Sequence, residues 1–200
     1  EMLFDDRTYE VMDQNLVTTD PLHFVDREPY AEKISAAQKS TGLNDALVNA
    51  LGTMGGRPVQ ISAMEYSFMC GSMGAVVGEM LTRAIERSVS EKKPLIIVSA
   101  SGGARMHEGT LSLMQMGKVS AALCRLDEAR VPYISVLTDP TTGGVSASYA
   151  LIGSTSRSWS RTTTSPAPAP SSAPSRIRGA MRRPRRRSSA RPGSTTCSNG

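Results

Sequence analysis

The chain has 200 residues, which allows one domain with or without an appended tail. Its formal charge of +5 is the sum over two unlike segments: residues 1–153 contain 13 basic and 18 acidic residues, whereas residues 154–200 contain 10 Arg and no acidic residue. Three widely spaced cysteines and the lack of an apolar run of about 18 residues exclude a disulfide framework, a Cys-x-x-Cys zinc site and a transmembrane helix, and favour a reducing, cytoplasmic compartment.

The first part of the chain predicts an irregular lead-in, a helix and a hairpin. Residues 1–28 are mixed and partly acidic, and a proline interrupts them, which is typical of irregular structure. Pro29–Lys39 predicts a helix with apolar residues on one side and charges on the other. Asp45–Met54 and Arg57–Tyr66 are apolar-rich runs joined by a Gly-Gly pair, which indicates a β-hairpin.

The centre of the chain alternates helical and strand patterns. Ser72 is the expected N-cap of a helix whose apolar residues recur at helical spacing as far as Val89. Four further elements are then expected: a strand at Pro94–Val98, a helix from about Gly109 to Ala129, a strand at Tyr133–Leu137 and a short helix at Val145–Ile152. Repeated strand–strand–helix units predict an α/β domain over residues 29–153, with functional groups at strand ends.

Two glycine pairs lie where predicted strands lead into helices. Gly102–Gly103 follows the first of these strands, and Gly143–Gly144 follows the second. Glycine lets the backbone adopt positive φ and lets a ligand approach closely, and free N–H groups at a helix start favour an anion. Either pair alone is more often only a tight turn. Two of them on neighbouring strands predict paired amide donors for a carbonyl oxygen that becomes negative.

Residues 154–200 differ sharply in composition from the rest of the chain. They contain 18 Ser and Thr, half of the twelve Pro, and no Leu, Val, Phe, Tyr, Asp, Glu or Lys. We expect disorder here because the segment has too little apolar surface to bury. Two interpretations stay open: a functional basic tail whose arginines between Arg182 and Arg187 bind nucleic acid or anionic lipid, or an out-of-frame translation of GC-rich DNA.

Five stretches of the sequence resemble the beta subunit of the bacterial acetyl-CoA carboxylase carboxyltransferase. They are Ser35–Gly42, Phe68–Gly74, Ser99–Met106, Leu113–Met116 and Pro132–Ser148, in the order in which that family has them. The resemblance extends over residues 29–153, about five-eighths of the chain. The family's four-cysteine zinc ribbon is missing, as are the further strand–helix elements that follow Gly153 in the family. We therefore predict no zinc, and no other metal, in this chain.

The resemblance implies a crotonase-like (ClpP-like) spiral of strand–strand–helix units, here incomplete. It implies transfer of a carboxyl group from carboxybiotin, carried on a separate protein, to acetyl-CoA, giving malonyl-CoA for fatty-acid synthesis. It also implies an alpha subunit as obligate partner in a heterotetramer of two alpha and two beta subunits, working with the biotin carboxyl carrier protein and biotin carboxylase. In the family's mechanism biotin removes the proton, so no side-chain base is required.

This chemistry calls for donors to an enolate oxygen rather than for a side-chain nucleophile. We expect the amides of Gly143 and Gly144 to take this role first, with Gly102 and Gly103 second, shaping the pocket or contacting CoA. His107 and Glu108 are interpreted as helix-start residues only. The expected substrate-binding residues are Ser101, Ala104, Arg105, Thr141, Thr142 and Val145, with Arg105 a candidate for a CoA phosphate.

Three other functions are considered. One is another acyl-CoA carboxyltransferase or decarboxylase of the same fold, since these residues do not fix the acyl preference. A second is a ClpP-like serine peptidase with Ser146 as nucleophile, which needs one of the two histidines, His23 or His107, as its base. A third is a nucleic-acid-binding module that works through the Arg-rich tail.

Overall fold

A computed structural model describes residues 3–6 and 8–152. In these ranges five strands form one sheet whose strand order is the same as the chain order. β1, β2 and β3 are antiparallel, whereas β4 and β5 run parallel to β3. The strands are β1 (Glu10–Met12), β2 (Leu47–Met54), β3 (Arg57–Met64), β4 (Leu95–Ser101) and β5 (Tyr133–Thr141).

Helices make the crossovers that parallel strands require. The helices in the described ranges are α1 (Tyr30–Thr41), α2 (Ala75–Glu91), α3 (Thr110–Glu128) and α4 (Tyr149–Ile152). Helix α2 connects β3 to β4 and α3 connects β4 to β5, and the two helices pack against each other. The predicted α/β arrangement of strand–strand–helix units is confirmed, with its hairpin turn at Gly55–Gly56.

The main core lies between α2, α3 and one face of the sheet. Because side chains alternate along a strand, Leu95 and Ile97 of β4 enter this core, whereas Ile96 joins a smaller cluster with Val59 and Ile61. The large side chains that form the main core include Phe68, Met73, Leu81, Ile85, Leu123 and Leu126. The helix stripe predicted from apolar spacing is therefore a packing surface.

The lead-in predicted as irregular over residues 1–28 contains a strand, so that expectation is wrong for Glu10–Met12. Val11 of β1 pairs with Ala50 of β2 in antiparallel register. Asp13, directly after β1, forms a bidentate ion pair with Arg87 of α2 (3.1 and 2.5 Å). A three-residue strand is too short for a periodic signal, and its position depends on the open edge of β2.

The expected N-cap at Ser72 is also wrong. Helix α2 begins at Ala75 after Gly74, which has no side chain to cap it. The Glu108 carboxylate accepts the Ala75 N–H instead, at 2.6 Å. This cap comes from 33 residues further along the chain, where no local pattern points to it.

The ends of the last elements differ from the prediction as well. Strand β4 continues to Ser101 and β5 continues to Thr141, so both reach the glycine pairs. Helix α4 begins at Tyr149, because residues 143–148 form turns rather than the predicted start at Val145. The second glycine pair therefore lies in a turn, not in the first turn of a helix.

Two expectations concern the tail and the membrane. The predicted disorder of residues 154–200, and their nucleic-acid or lipid binding, lie outside the described residues. Among the helices of the described ranges, none combines the length and apolar character needed to cross a membrane.

Candidate functional site

The two glycine pairs lie against each other at one edge of the sheet. Strands β4 and β5 are parallel neighbours, so the turns that follow them meet. A methyl group added to Gly143 would lie 3.5 Å from the Gly103 Cα, and one added to Gly103 would lie 3.7 Å from the Gly144 nitrogen. Both residues have positive φ, +122° at Gly103 and +61° at Gly143, which favours glycine.

In the first turn the glycine amides are already used inside the fold. Gly102 N–H donates to the Cys70 carbonyl at 2.9 Å, and Gly103 N–H donates to the Ser101 hydroxyl at 3.1 Å. That buried hydroxyl in turn donates to the Gly71 carbonyl at 2.6 Å. Gly102, Gly103 and Ser101 therefore form a frame, and neither glycine amide is free to meet a ligand.

The free amide of the first turn belongs to Ala104. Met73 N–H donates to the Gly103 carbonyl, and Arg105 N–H donates to the Met73 carbonyl, each at 2.9 Å. These two bonds form a bridge on either side of Ala104. Within the described part of the chain, Ala104 N–H has no hydrogen-bond acceptor.

Arg105 lies away from any position in which it would meet a CoA phosphate, which corrects that expectation. Its side chain is fully buried and forms a bidentate ion pair with Asp45, at 2.5 and 3.1 Å. The remaining N–H groups donate to the Ser72 hydroxyl, the Ser72 carbonyl and the Tyr30 hydroxyl. All five guanidinium donors are used. Although burial disfavours the charged form, the hydrogen bonds that Arg105 donates to Asp45 and the negative charge of Asp45 raise the pKa of Arg105.

Glu108 completes this buried network. Its Oε1 accepts hydrogen bonds from the Tyr30 hydroxyl (2.8 Å) and the Thr18 hydroxyl (3.0 Å), and it lies 3.5 Å from Arg105 Nη1. Its other oxygen caps α2 at Ala75. Burial is also the main cause that raises the pKa of Tyr30, to about 12. Glu108 therefore holds three parts of the chain together, more than the helix-start role that its sequence position suggests.

The beginning of the second turn is tied to β4. Thr142 N–H donates to the Ser101 carbonyl at 3.0 Å, and the Thr141 hydroxyl donates to the Ser99 carbonyl at 2.8 Å. The N–H groups of Gly143, Gly144 and Val145 have no acceptor among the residues that the structure describes. Three successive amides are thus available in this turn, although the Val145 side chain is buried in the core.

Methionine side chains support the second turn from behind. A methyl group added to Gly144 would lie 2.8 Å from the Met116 sulfur and 3.4 Å from the Met73 Cε. Met116 belongs to the Leu-Met-Gln-Met stretch of α3, in which Met114 is exposed and Gln115 is buried. Contact with Gly144 requires the close approach that glycine permits.

The arrangement does not support a serine peptidase. The Ser146 hydroxyl donates to the Gly143 carbonyl at 2.9 Å, and no imidazole is bonded to it in the described ranges. His107 stacks on Tyr30 with ring centroids 4.9 Å apart, and its Nε2 lies 3.9 Å from Asp26. Burial, together with the Lys33 charge, lowers the pKa of His107.

Metal ligands are not grouped in the described part of the chain. No cluster of three or more His, Cys, Asp or Glu residues there is arranged to hold a metal ion. Cys70 and Cys124 are both exposed free thiols.

Comparison with known proteins identifies the family. The family model described as the carboxyl transferase domain matches residues 10–155. The chain belongs to the carboxyl transferase domain family. It is similar to the acetyl-coenzyme A carboxylase carboxyl transferase subunit beta of Salinibacter ruber, with 54% identity over 151 residues that cover 76% of this chain and 54% of the relative. The same subunit of Desulforamulus reducens is 54% identical over 152 residues, which cover 76% of this chain and 52% of the relative.

A solved structure gives the same result for the fold. Transcarboxylase 12S, crystallised with methylmalonyl-coenzyme A and methylmalonic acid, matches with a TM-score of 0.59 and 26% identity, over 72% of this chain and 26% of that one. This likeness confirms the predicted crotonase-like class. The chain spans about half the length of the curated relatives that it matches.

The sequence did not predict the buried side chains that pack around Arg105 and support the first glycine turn. Tyr30, Asp45 and Glu108 come from three separate parts of the chain, and all three contact Arg105. Asp45 directly precedes an apolar run, and an acidic residue at the start of a buried strand was the one local signal that a buried cation would pair with it.

Proposed function

We propose that the chain is part of a carboxyltransferase beta subunit that acts in the cytoplasm. It would transfer a carboxyl group from carboxybiotin, held by the biotin carboxyl carrier protein, to acetyl-CoA and so give malonyl-CoA. Its partners would be the alpha subunit, in a heterotetramer of two alpha and two beta subunits, and biotin carboxylase. The observation that carries this proposal is the contact between two glycine turns that leave four amides without acceptors in the described ranges.

These amides suit the chemical step that acetyl-CoA must undergo. Loss of a proton from the acetyl methyl group moves negative charge onto the thioester oxygen, and fixed N–H donors stabilise that charge. Gly143 and Gly144 are the donors that we assign to this oxygen, as their sequence position suggests. Ala104, rather than Gly102 or Gly103, is the donor that we assign from the first turn, because the two glycine amides already have acceptors.

The other residues expected at the site take supporting roles in this proposal. Gly102, Gly103 and Ser101 shape the first turn, and Thr141 and Thr142 tie the second turn to β4. Val145 contributes its amide, since its side chain is buried. Carboxybiotin would supply the carboxyl group to the carbon that the enolate makes nucleophilic.

The choice of acetyl-CoA rests on the relatives. The two relatives at 54% identity are both beta subunits of acetyl-CoA carboxylase, whereas the methylmalonyl-CoA enzyme is 26% identical. We therefore favour an acetyl-CoA enzyme over a carboxyltransferase or decarboxylase for larger acyl groups.

The proposal is tested by the infrared band of the thioester carbonyl. Acetyl-CoA labelled with a heavy isotope at that carbon is bound to the chain in the presence of the alpha subunit. The amide donors of Gly143, Gly144 and Ala104 polarise the carbonyl, so we expect its stretching frequency to fall on binding.

A matched pair of variants at one position assigns the donor. Gly144→Ala and Gly144→Pro both add a Cβ next to Met116, but only proline removes the N–H group. We expect the frequency shift to persist in Gly144→Ala and to become smaller in Gly144→Pro. An equal shift in both variants, or no shift with the unaltered chain, would contradict the proposed role of this turn.

A further inference from the structure

We infer that Arg105 and Glu108 form a buried positioning pair that sets the direction of the Ala104 N–H. The inference rests on the proposed function, because it connects the pair to a donor of the candidate site. Neither side chain is positioned to touch the substrate, because Arg105 is fully buried and Glu108 is 2% exposed. Their effect passes through the backbone of the loop at Ser72 and Met73.

Arg105 fixes that loop by donating two hydrogen bonds to a single residue, Ser72. Its Nε donates to the Ser72 hydroxyl at 3.1 Å, and its Nη2 donates to the Ser72 carbonyl at 2.7 Å. The bidentate contact with Asp45 prevents the guanidinium from rotating. The loop between β3 and α2 is thereby tied to the beginning of β2.

The next residue transfers this constraint to the first glycine turn. Met73 N–H donates to the Gly103 carbonyl, and Arg105 N–H returns a bond to the Met73 carbonyl. A trans peptide is planar, so its C=O and the following N–H point in opposite directions. With the Gly103 carbonyl held towards Met73, the Ala104 N–H must point away from it.

Glu108 holds the other side of the same loop. It caps α2 at Ala75 and accepts hydrogen bonds from Thr18 and Tyr30. A methyl group added to Gly74 would lie 2.3 Å from Glu108 Oε1 and 2.9 Å from Arg105 Nη1. The loop before α2 can therefore pack against Arg105 and Glu108 only with a glycine at position 74.

The network also explains why the pair is charged. A buried ion pair is stable only where further hydrogen bonds satisfy its remaining groups. Here Ser72, Tyr30, Thr18 and the Ala75 amide supply those bonds, and three of the four belong to α1, the lead-in or the loop next to the site. An apolar pair of similar volume would fill the space without directing the Ser72 carbonyl.

The test compares three variants of the complete chain. Arg105→Lys keeps the positive charge but loses the planar guanidinium and its paired donors. Ser72→Ala removes the hydroxyl that accepts from Arg105 Nε, at a partly exposed residue, and leaves no charge unpaired. The control is Arg87→Lys, because Arg87 also makes a bidentate ion pair, with Asp13, in a different part of the chain.

Two measurements are made on each variant. The first is hydrogen exchange at the amides of Met73 and Arg105, which form the bridge to the first turn. We expect exchange at both to become at least about tenfold faster in Ser72→Ala and Arg105→Lys, and to stay unchanged in Arg87→Lys. The second is the carbonyl frequency shift of bound acetyl-CoA, which we expect to become smaller in the first two variants only.

The outcomes separate the inference from the function on which it rests. Unchanged exchange at the two bridge amides in Ser72→Ala, or an equal change in Arg87→Lys, would overturn the inference. Faster exchange with an undiminished carbonyl shift would also overturn it, since the pair would then support the fold without directing the donor. If the unaltered chain gives no carbonyl shift while exchange in Ser72→Ala is faster, the proposed function fails but the coupling of the pair to this peptide stands.

Discussion

The two glycine turns have similar sequences and equivalent places at the ends of neighbouring strands, yet their polar groups are used in opposite ways. In the first turn the amides of Gly102 and Gly103 bond within the fold, and a buried charged network lies behind them. In the second turn the amides of Gly143 and Gly144 have no acceptor in the described ranges, and a flexible methionine lies behind them.

This difference shows that a glycine pair by itself does not mark a donor pair. At Gly103 the positive φ serves the frame, and the free donor is the alanine that follows. Gly143 also has positive φ, but here the glycine amides themselves have no acceptor in the described ranges. The first turn and the charged network behind it therefore form a frame, whereas the second turn presents its amides to a ligand. The following predictions test that contrast.

The largest effect is expected from Arg105→Met in the frame. Removing this guanidinium leaves the buried Asp45 carboxylate without its ion-pair partner, and breaking a buried ion pair in this way costs roughly 3–5 kcal/mol. The free energy of unfolding in urea measures the loss. Arg125→Met is the control, because the exposed pair of Arg125 with Glu86 contributes at most about 1 kcal/mol. Similar losses in the two variants would mean that the network behind the first turn is not a frame.

The elements that could be predicted from the sequence are those marked by a short local pattern. The hairpin, the crossover helices and the two turns each have a pattern within a few residues, such as the Gly55–Gly56 pair between two apolar runs. These patterns place both turns at the same sheet edge. The position of the site therefore follows from the sequence once the parallel order of β4 and β5 is accepted.

Long-range contacts explain what was not predictable. Arg105 and Asp45 are 60 residues apart, and no spacing rule connects them. The choice of Ala104 over Gly102 and Gly103 depends on hydrogen bonds to Cys70, Ser101 and Met73, which form only when the loop before α2 packs on the turn. Strand β1 likewise exists because β2 offers it an edge.

A second prediction makes the same substitution in each turn. Ser101→Ala leaves the Gly71 carbonyl and the Gly103 N–H buried without partners, at a cost of about 1–3 kcal/mol. Ser146→Ala removes a hydroxyl bonded to an exposed turn, and we expect a change within about 0.5 kcal/mol. Thermal unfolding of both variants measures the difference. A loss in Ser146→Ala that equals the loss in Ser101→Ala would contradict the contrast.

A third prediction concerns the support behind the second turn. Gly144→Ala places a methyl group 2.8 Å from the Met116 sulfur, and this overpacking costs about 1 kcal/mol because a methionine side chain can move. Gly117→Ala on the exposed side of α3 meets no atom within 4 Å and should stabilise by roughly 0.5–1 kcal/mol. Opposite signs in the free energy of unfolding are expected; two stabilising changes would mean that Met116 does not pack on the turn.

The smallest effect is a pH dependence of stability that comes from His107, which stacks on Tyr30 of the buried network. Burial lowers the pKa of His107 below its ordinary value of 6.5, so the unfolded chain binds the proton more readily. The contribution of this residue to stability is therefore complete above pH 6.5 and is lost as the pH falls through the lowered pKa. We expect His107→Phe, which keeps a ring against Tyr30, to lose less stability than the unaltered chain between pH 7 and pH 5. An identical loss would contradict this.

Because each strand lies next to its predecessor, the order of the sheet is also the order of synthesis. Strand β1 must wait for β2 before it can pair, but a ribosome delivers each of the strands β3, β4 and β5 to an edge that already exists. The hydrogen bonds that hold Gly102 and Gly103 come from Cys70, Ser101 and Met73, which all precede β5, whereas the turn at Gly143 follows β5. Within the described ranges, the presenting half of the site is therefore synthesised after the frame and forms against it.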